Sequence, residues 1–305
     1  MKKRDVLVIG SVNHDSFYTL PSRMRIGENM HALKYTTAMG GKGANQAVQC
    51  AKLSLQTTMF GCVGNDEYGR QIVSAMRGYG VHMENILVRN VPTGNASVWV
   101  YPDGEVQAAL FGGANMTITK EDIDAIESLI ENHKVVILQN EIPKDAIEYS
   151  ASIARASDCF IIYNAAPAIK VSTDMFSNVD LLVVNEAEAS YYSEIDIYDL
   201  DSADRAAKKL SKLFKKTVII TLGAQGSLLV QGRHTYHIPA KKVEVVETTG
   251  AGDSYVGALA YGVVRGLTLA KAADIATLAA SITIKSTGAQ PSMPKLEQLG
   301  QTPTH

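Results

Sequence analysis

The sequence predicts an α/β fold: a doubly wound, mostly parallel sheet flanked by helices, with a small antiparallel β lid attached. Three observations carry this reading. Short β-branched apolar runs recur along the chain, helical patterns lie between them, and two segments, about 14–37 and 94–110, break that rhythm. Unbroken apolar runs are what strands buried on both faces require. Alternating strand and helix implies parallel strands joined by right-handed crossovers.

Val6–Ile9 opens the series as a first strand. It is too short for the apolar core of a signal peptide, which needs about 7–15 residues. The segment 14–37 reads as meandering strand. Ser97–Tyr101, the turn Pro102-Asp103-Gly104 and Glu105–Leu110 read as a hairpin. Together these two pieces make the lid. Gly61 and Gly64 read as a turn near the pocket. Lys120–Asn132 is a helix with Ile123, Ile126, Leu129 and Ile130 on one face. Strands follow at Val135–Leu138, Phe160–Tyr163, Leu181–Val184 and Val218–Leu222. Helices are expected at Pro143–Ser157, which opens on proline, and at Ser202–Lys215. No Pro/Gly/Ser-rich linker divides the chain, so residues 1–305 are read as a single domain carrying the lid.

Composition removes several function classes. The 305 residues hold 29 Lys plus Arg against 31 Asp plus Glu, a formal charge of −2, with no block of five like charges. That balance argues against a nucleic-acid partner. No apolar run approaches the ~18 residues of a membrane span. Cys50, Cys62 and Cys159 are widely spaced and read as reduced thiols of a cytoplasmic protein. Gly41-Lys42 is not part of a Walker A loop, and the first strand ends without Gly-x-Gly-x-x-Gly. Gly252-Asp253-Ser254 has no convincing His partner for a serine esterase.

Two glycine clusters carry the chemistry. Glu247-Thr248-Thr249-Gly250-Ala251-Gly252-Asp253 precedes a helical stretch from Ser254 to Arg265. Small residues before a helix leave backbone N–H groups open, and with the helix dipole they form an anion hole. Asp253 beside that hole can accept a proton from a hydroxyl that attacks the bound anion, as phosphoryl transfer to an alcohol requires. A plain N-cap on a tight turn is the alternative. The second cluster, Met39-Gly40-Gly41-Lys42-Gly43-Ala44-Asn45-Gln46, runs into an apolar helix, Ala47–Leu53. Its backbone lets a ligand approach closely, and Lys42 and Asn45 supply donors suited to hydroxyls. A loop that merely starts a helix is the alternative.

Those two segments together resemble the ribokinase family of ATP-dependent sugar kinases, and the resemblance runs from Val6 to Pro294 in the family's order. Gly10-Ser11-Val12-Asn13-His14-Asp15 looks like the family's first strand and sugar-binding Asn-x-Asp. By this resemblance Asn13, Asp15, Gly41, Lys42, Asn45 and Glu141 bind sugar. Asn185 and Glu188 match the Asn-x-x-Glu that organises magnesium and phosphate, largely through water, although that spacing is also a capping box. Asn185, Thr221, Gly223 and Gly226 serve ATP. Gly250, Ala251, Gly252 and Asp253 match the anion hole and catalytic base. Gly288-Ala289-Gln290-Pro291-Ser292 matches a stretch that helps hold an activating potassium ion, with Glu247, Thr249, Thr283, Ser286, Gly288 and Ser292 implied as its ligands.

The resemblance therefore implies transfer of the γ-phosphoryl of ATP to a primary hydroxyl, O5 of D-ribose, with ATP, Mg2+ and K+ as cofactors and a homodimer joined through the lids. Four departures bear on this: Glu247 replaces the usual Asp, Asn140 a hydrophobic residue, Ala165 a Pro and Phe111 a His. They leave open a kinase for deoxyribose, a nucleoside or another sugar. A non-catalytic sugar sensor is the reading from a different class.

Overall fold

The computed structural model describes residues 3–103 and 105–300. The first half runs β1 (Arg4–Ile9), β2 (Asn13–Thr19), β3 (Lys34–Gly40), α1 (Lys42–Lys52), β4 (Thr57–Gly64), α2 (Glu67–Gly78), β5 (His82–Arg89), β6 (Asn95–Val100) and β7 (Val106–Phe111). Then come α3 (Lys120–Asp124), α4 (Glu127–Glu131), β8 (His133–Gln139), α5 (Lys144–Ala156), β9 (Phe160–Asn164), α6 (Thr173–Asn178), β10 (Leu181–Asn185), α7 (Glu186–Ser193), α8 (Leu200–Phe214) and β11 (Thr217–Thr221). The chain closes with β12 (Ser227–Gln231), β13 (His234–Ile238), α9 (Ala251–Val264), α10 (Leu269–Thr283) and α11 (Ala289–Ser292).

Among the described residues, nine strands form one sheet in the order β13-β12-β11-β10-β9-β8-β1-β4-β5. Every pair from β11 to β5 is parallel, and β12 and β13 add an antiparallel edge. Strand β1 explains the unbroken apolar run. Val6 and Val8 point into a core shared with α1, α9 and α10, while Leu7 and Ile9 point into the opposite core. Each of the four is fully buried, at about 1.5–3 kcal/mol per side chain. Because successive side chains alternate faces, a strand covered on both sides has no polar position to offer.

The chain leaves β1 toward β4 on one side and returns to β8 on the other. The crevice beyond the carboxyl ends of β1 and β8 is therefore a topological switch point, the expected place for a ligand. The loops from β8, β9, β10 and β11 open on the same edge, because those strands are parallel.

A second sheet has the order β3-β2-β6-β7. Its outer pairs are antiparallel, as the hairpin signal implies, but the central β2–β6 pair is parallel. Residues 20–33, inside the first meandering segment, carry no strand.

Three local expectations are corrected. Gly61 and Gly64 lie inside β4, where all eight residues are buried, and not in a turn. A Cβ on Gly61 would come within 2.7 Å of the Gly10 carbonyl oxygen. The helix expected over Lys120–Asn132 breaks at Ala125-Ile126 into α3 and α4. Thr119 and Asp122 form a capping box that starts α3, and Ile123, Ile126 and Ile130 still face the core. The helix expected from Ala47 begins at Lys42, so the glycine loop itself supplies its first turn.

Candidate active site

Gly41 is the pivot between the small sheet and α1. It adopts φ 87°, and a Cβ there would sit 2.8 Å from the Ser11 carbonyl oxygen, so only glycine fits without strain. The turn it makes brings the Lys42 N–H to Glu141 Oε2 at 3.0 Å, and Ser11 Oγ donates to the same oxygen at 2.5 Å. The ends of β1 and β8 and the start of α1 thus meet at one carboxylate. Glu141 follows the period of β8, which ends two residues earlier at Gln139. Gln139 and Glu141 face α1 and Ser11, while Asn140 between them faces the other layer. There Asn140 Oδ1 accepts from Tyr163 Oη at 2.6 Å, and its Nδ2 donates to the Pro167 carbonyl at 2.8 Å. The Asn140 departure accordingly lies outside the crevice.

Asp253 sits on the first turn of α9 and is only 8% exposed. Asn45 Nδ2 donates to its Oδ2 and Gln46 Nε2 to its Oδ1, each at 2.9 Å. Burial pushes its carboxyl above the usual range, against the pull of Lys42 and the two amide donors. Burial also disfavours the Lys42 ammonium, yet the surrounding carboxylates of Asp253, Glu141 and Glu188 hold it above its ordinary value. One half-buried cation therefore serves three carboxylates drawn from α9, the loop after β8 and α7.

Just before Asp253, Gly250 takes φ 80° with its Cα packed on Ala289, where a Cβ would approach to 2.7 Å. Ala251 N–H donates to the Thr248 carbonyl at 3.2 Å. Of the three amides expected to line the anion hole, that of Ala251 already has a backbone acceptor.

On the small sheet, Asp15 Oδ1 accepts the Ala96 N–H at 2.8 Å and Asn13 Oδ1 accepts from Asn115 Nδ2 at 2.8 Å. Burial, with Glu141 nearby, pushes the Asp15 carboxyl up to about 6. Asn185 and Glu188 form the reciprocal capping box of α7: Asn185 N–H to Glu188 Oε2 and Glu188 N–H to Asn185 Oδ1, both 2.9 Å. Burial raises the Glu188 carboxyl, opposed by Asn185 and Lys42. The pair stands at the carboxyl end of β10, beside Thr221 at the end of β11 and the turn holding Gly223 and Gly226.

The residues implied as potassium ligands separate into two sets. Glu247 Oε2 accepts the Gly288 N–H at 2.9 Å, so the longer side chain still reaches the loop. Ser292 Oγ donates to the Ala289 carbonyl within that loop. The Thr283 hydroxyl instead turns onto α9, bonding Ser254 Oγ at 2.8 Å. Ser254 is itself fully buried and donates to Gln49 Oε1, which removes it as an esterase nucleophile. Thr249 and Ser286 flank this region. The Lys52 ammonium already binds the carbonyls of Gln290, Pro291 and Met293, so the loop's carbonyl dipoles do attract a cation. Among the described residues, no cluster of three or more His, Cys, Asp or Glu could hold a metal. No helix there is long and apolar enough to cross a membrane, and the three cysteines are buried and unpaired with one another.

Several residues of this site were not picked out from the sequence: Ser11, Gln46, Asn115, Gln139, Asn164 and Gln290. The available signal was local. Asn45, Gln46 and Gln49 put three amides into a helix whose residues 43–50 are all buried. Buried amides need partners, so they mark a polar site inside the core.

A buried carboxylate at a helix start, a half-buried lysine and a glycine-rich turn at a sheet switch point define a kinase-type crevice. The profile of the pfkB family carbohydrate kinases matches residues 3–296. The chain belongs to that family, and it is a phosphotransferase enzyme with an alcohol acceptor. Among its relatives, ribokinase of Staphylococcus aureus (strain COL) is 34% identical over 299 residues, covering 97% of this chain and 98% of that protein. Mouse ribokinase is 33% identical, covering 96% and 93%. The structure of Arabidopsis thaliana ribokinase complexed with ribose and ATP superposes with a TM-score of 0.89 at 31% identity, covering 97% of each chain.

Proposed function

We propose that the protein phosphorylates the primary hydroxyl of D-ribose with ATP, giving ribose 5-phosphate, with Asp253 as general base. The observation that carries this reading is the Asp253 carboxylate itself, buried at the start of α9 and met by donors from the glycine loop. Ribose-acting relatives over nearly the full length support the sugar. Asn140 faces away from the crevice, which takes away one reason for expecting a different substrate.

Asp15 and Glu141 accept from sugar hydroxyls, while Lys42, Asn45 and Asn13 bring donors or a polar carbonyl. That mixture suits a small polyol. Asp253 takes the proton of the attacking hydroxyl, and its burial makes it a stronger base than a solvated carboxylate. The amides of Gly250 and Gly252, with the α9 dipole, face the transferring phosphoryl group. Thr221, Gly223, Gly226 and Asn185 hold the nucleotide. Asn185 and Glu188 engage each other directly, which fits magnesium held through water; when bound, that ion neutralises phosphate charge. Glu247, Thr249, Ser286, Gly288 and Ser292, with the Thr283 carbonyl, would hold potassium.

The chain acts as one domain, and the small sheet closes over the sugar to exclude water. Tyr35, Val106, Leu110 and Phe111 leave apolar surface exposed on that sheet, which supports a homodimer joined there. The site's small-molecule chemistry fits a cytoplasmic enzyme.

A coupled ADP-release screen over ribose, deoxyribose, fructose and nucleosides tests the reading. Ribose is expected to give the highest kcat/KM, and a higher value for any other acceptor overturns it. In the same assay, replacing potassium by sodium is expected to lower turnover; equal rates would remove the cation site.

A further inference from the structure

The two N–H groups and the carbonyl of the Gln46 amide are all engaged. Its Nε2 donates to Asp253 Oδ1 at 2.9 Å and to Asn164 Oδ1 at 3.0 Å. Its Oε1 accepts from Gln139 Nε2 at 2.7 Å. Turning that amide over would set its oxygen against two other oxygens, so its neighbours determine its orientation. Each neighbour is anchored in the main sheet. Gln139 ends β8, and Asn164 ends β9 and donates through Nδ2 to the Val183 carbonyl of β10 at 3.2 Å. Gln46 and Gln139 are fully buried, and Asn164 is nearly so.

A second observation points the same way. Gln139 Oε1 is buried without a hydrogen-bond partner, against Gly10, where a Cβ would come within 1.9 Å. A buried carbonyl left unsatisfied lowers stability. An apolar side chain at 139 would avoid that cost, but it would leave the Gln46 carbonyl without its donor. The arrangement sacrifices one acceptor to keep the Gln46 amide in place.

We infer that Gln46 is a positioning residue: backed by Gln139 and Asn164, it sets the orientation of the Asp253 carboxylate and keeps it an acceptor for the substrate hydroxyl. This rests on reading Asp253 as the base. Asn45, on Oδ2, also faces the sugar, whereas Gln46 meets only protein groups and works through Asp253. The charged groups facing Asp253 are Lys42 on α1, Glu141 after β8 and Glu188 on α7. None of them is altered by changing Gln46. Donors to a carboxylate favour its ionised form. Removing one therefore moves the acid limb of the rate profile to higher pH.

The test is Gln46→Met in the full chain, assayed with D-ribose and ATP from pH 5 to 9. The expected result is a kcat roughly tenfold lower, a ribose KM within about twofold of the parent, and an acid limb of kcat/KM raised by about one pH unit. Gln139→Leu, which touches Gln46 and not Asp253, should move the limb the same way by less. An unmoved limb, or a change in KM alone, overturns the proposal. If thermal melts show Gln46→Met unfolded, Gln139→Leu decides by the same criteria. Asp253→Asn separates the two readings. If it keeps turnover, the base assignment fails and takes this inference with it. If it is inactive while the Gln46→Met limb has not moved, only the positioning role falls.

Discussion

The two sides of the crevice treat their carboxylates differently. On the main-sheet side, Asp253 is buried but answered by Lys42, Asn45 and Gln46. On the small-sheet side, Asp15 is half-buried, and it has the Ala96 N–H and a second carboxylate, Glu141, facing it. Both carboxyls are raised by burial, and only one has a cation and two amides to offset it. The Asp253 side is thus organised before any ligand arrives, as electrostatic preorganisation requires. The small-sheet side holds an under-satisfied acceptor, which in the proposed function takes hydroxyl donors from the sugar.

The largest expected effect breaks the preorganised side. Asp253→Asn should lower kcat by roughly 10²–10⁴ with little change in KM, as loss of a general base does. Near-normal steady-state turnover would remove Asp253 from the chemistry. On the small sheet, Leu110 in β7 is 76% exposed. Leu110→Asp should convert a dimer to a monomer on size-exclusion chromatography with light scattering, and should raise the ribose KM more than it lowers kcat. A parent chain that already runs as a monomer would refute the paired-sheet arrangement.

The smallest effect sharpens the contrast. The Asp15 carboxyl is raised to about 6 in the folded chain, above the ordinary 3.8. Below pH ~3.8 both folded and unfolded forms are protonated, and Asp15 costs nothing. Between ~3.8 and ~6 the unfolded chain ionises first, so a destabilisation accumulates; above ~6 it is complete. Asp15→Asn should therefore raise the ligand-free melting temperature at pH 7.5 and leave it nearly unchanged at pH 4. The gain is on the order of 3 kcal/mol at most, and ribose binding should weaken. A stability gain equal at both pH values would show that the strain is not electrostatic.

Legibility in the sequence followed the range of the interaction. Val6–Ile9 announced a doubly covered strand because burial on both faces leaves a local trace. The glycine turn at 40–43 and the Gly250–Gly252 start of α9 were visible for the same reason, since positive φ at Gly41 and Gly250 is a local demand. β4 was not visible: Gly61 and Gly64 read as a turn, and only their neighbours in the folded sheet make them interior. The break between α3 and α4 went unseen because Ile126 keeps its place in the apolar pattern on both sides of it.

What the sequence by itself determined is the fold class, the strand-helix alternation that defines it and the residue types able to handle a phosphate and a polyol. Each of those depends on local periodicity, backbone freedom or side-chain chemistry. Tertiary structure alone decided which groups act together. Gln46 and Asp253 are 207 residues apart and Ser11 and Glu141 are 130 apart, yet each pair is hydrogen bonded. No local pattern encodes such contacts; they exist because parallel strands carry their carboxyl ends, and the loops that follow, to one edge of one sheet.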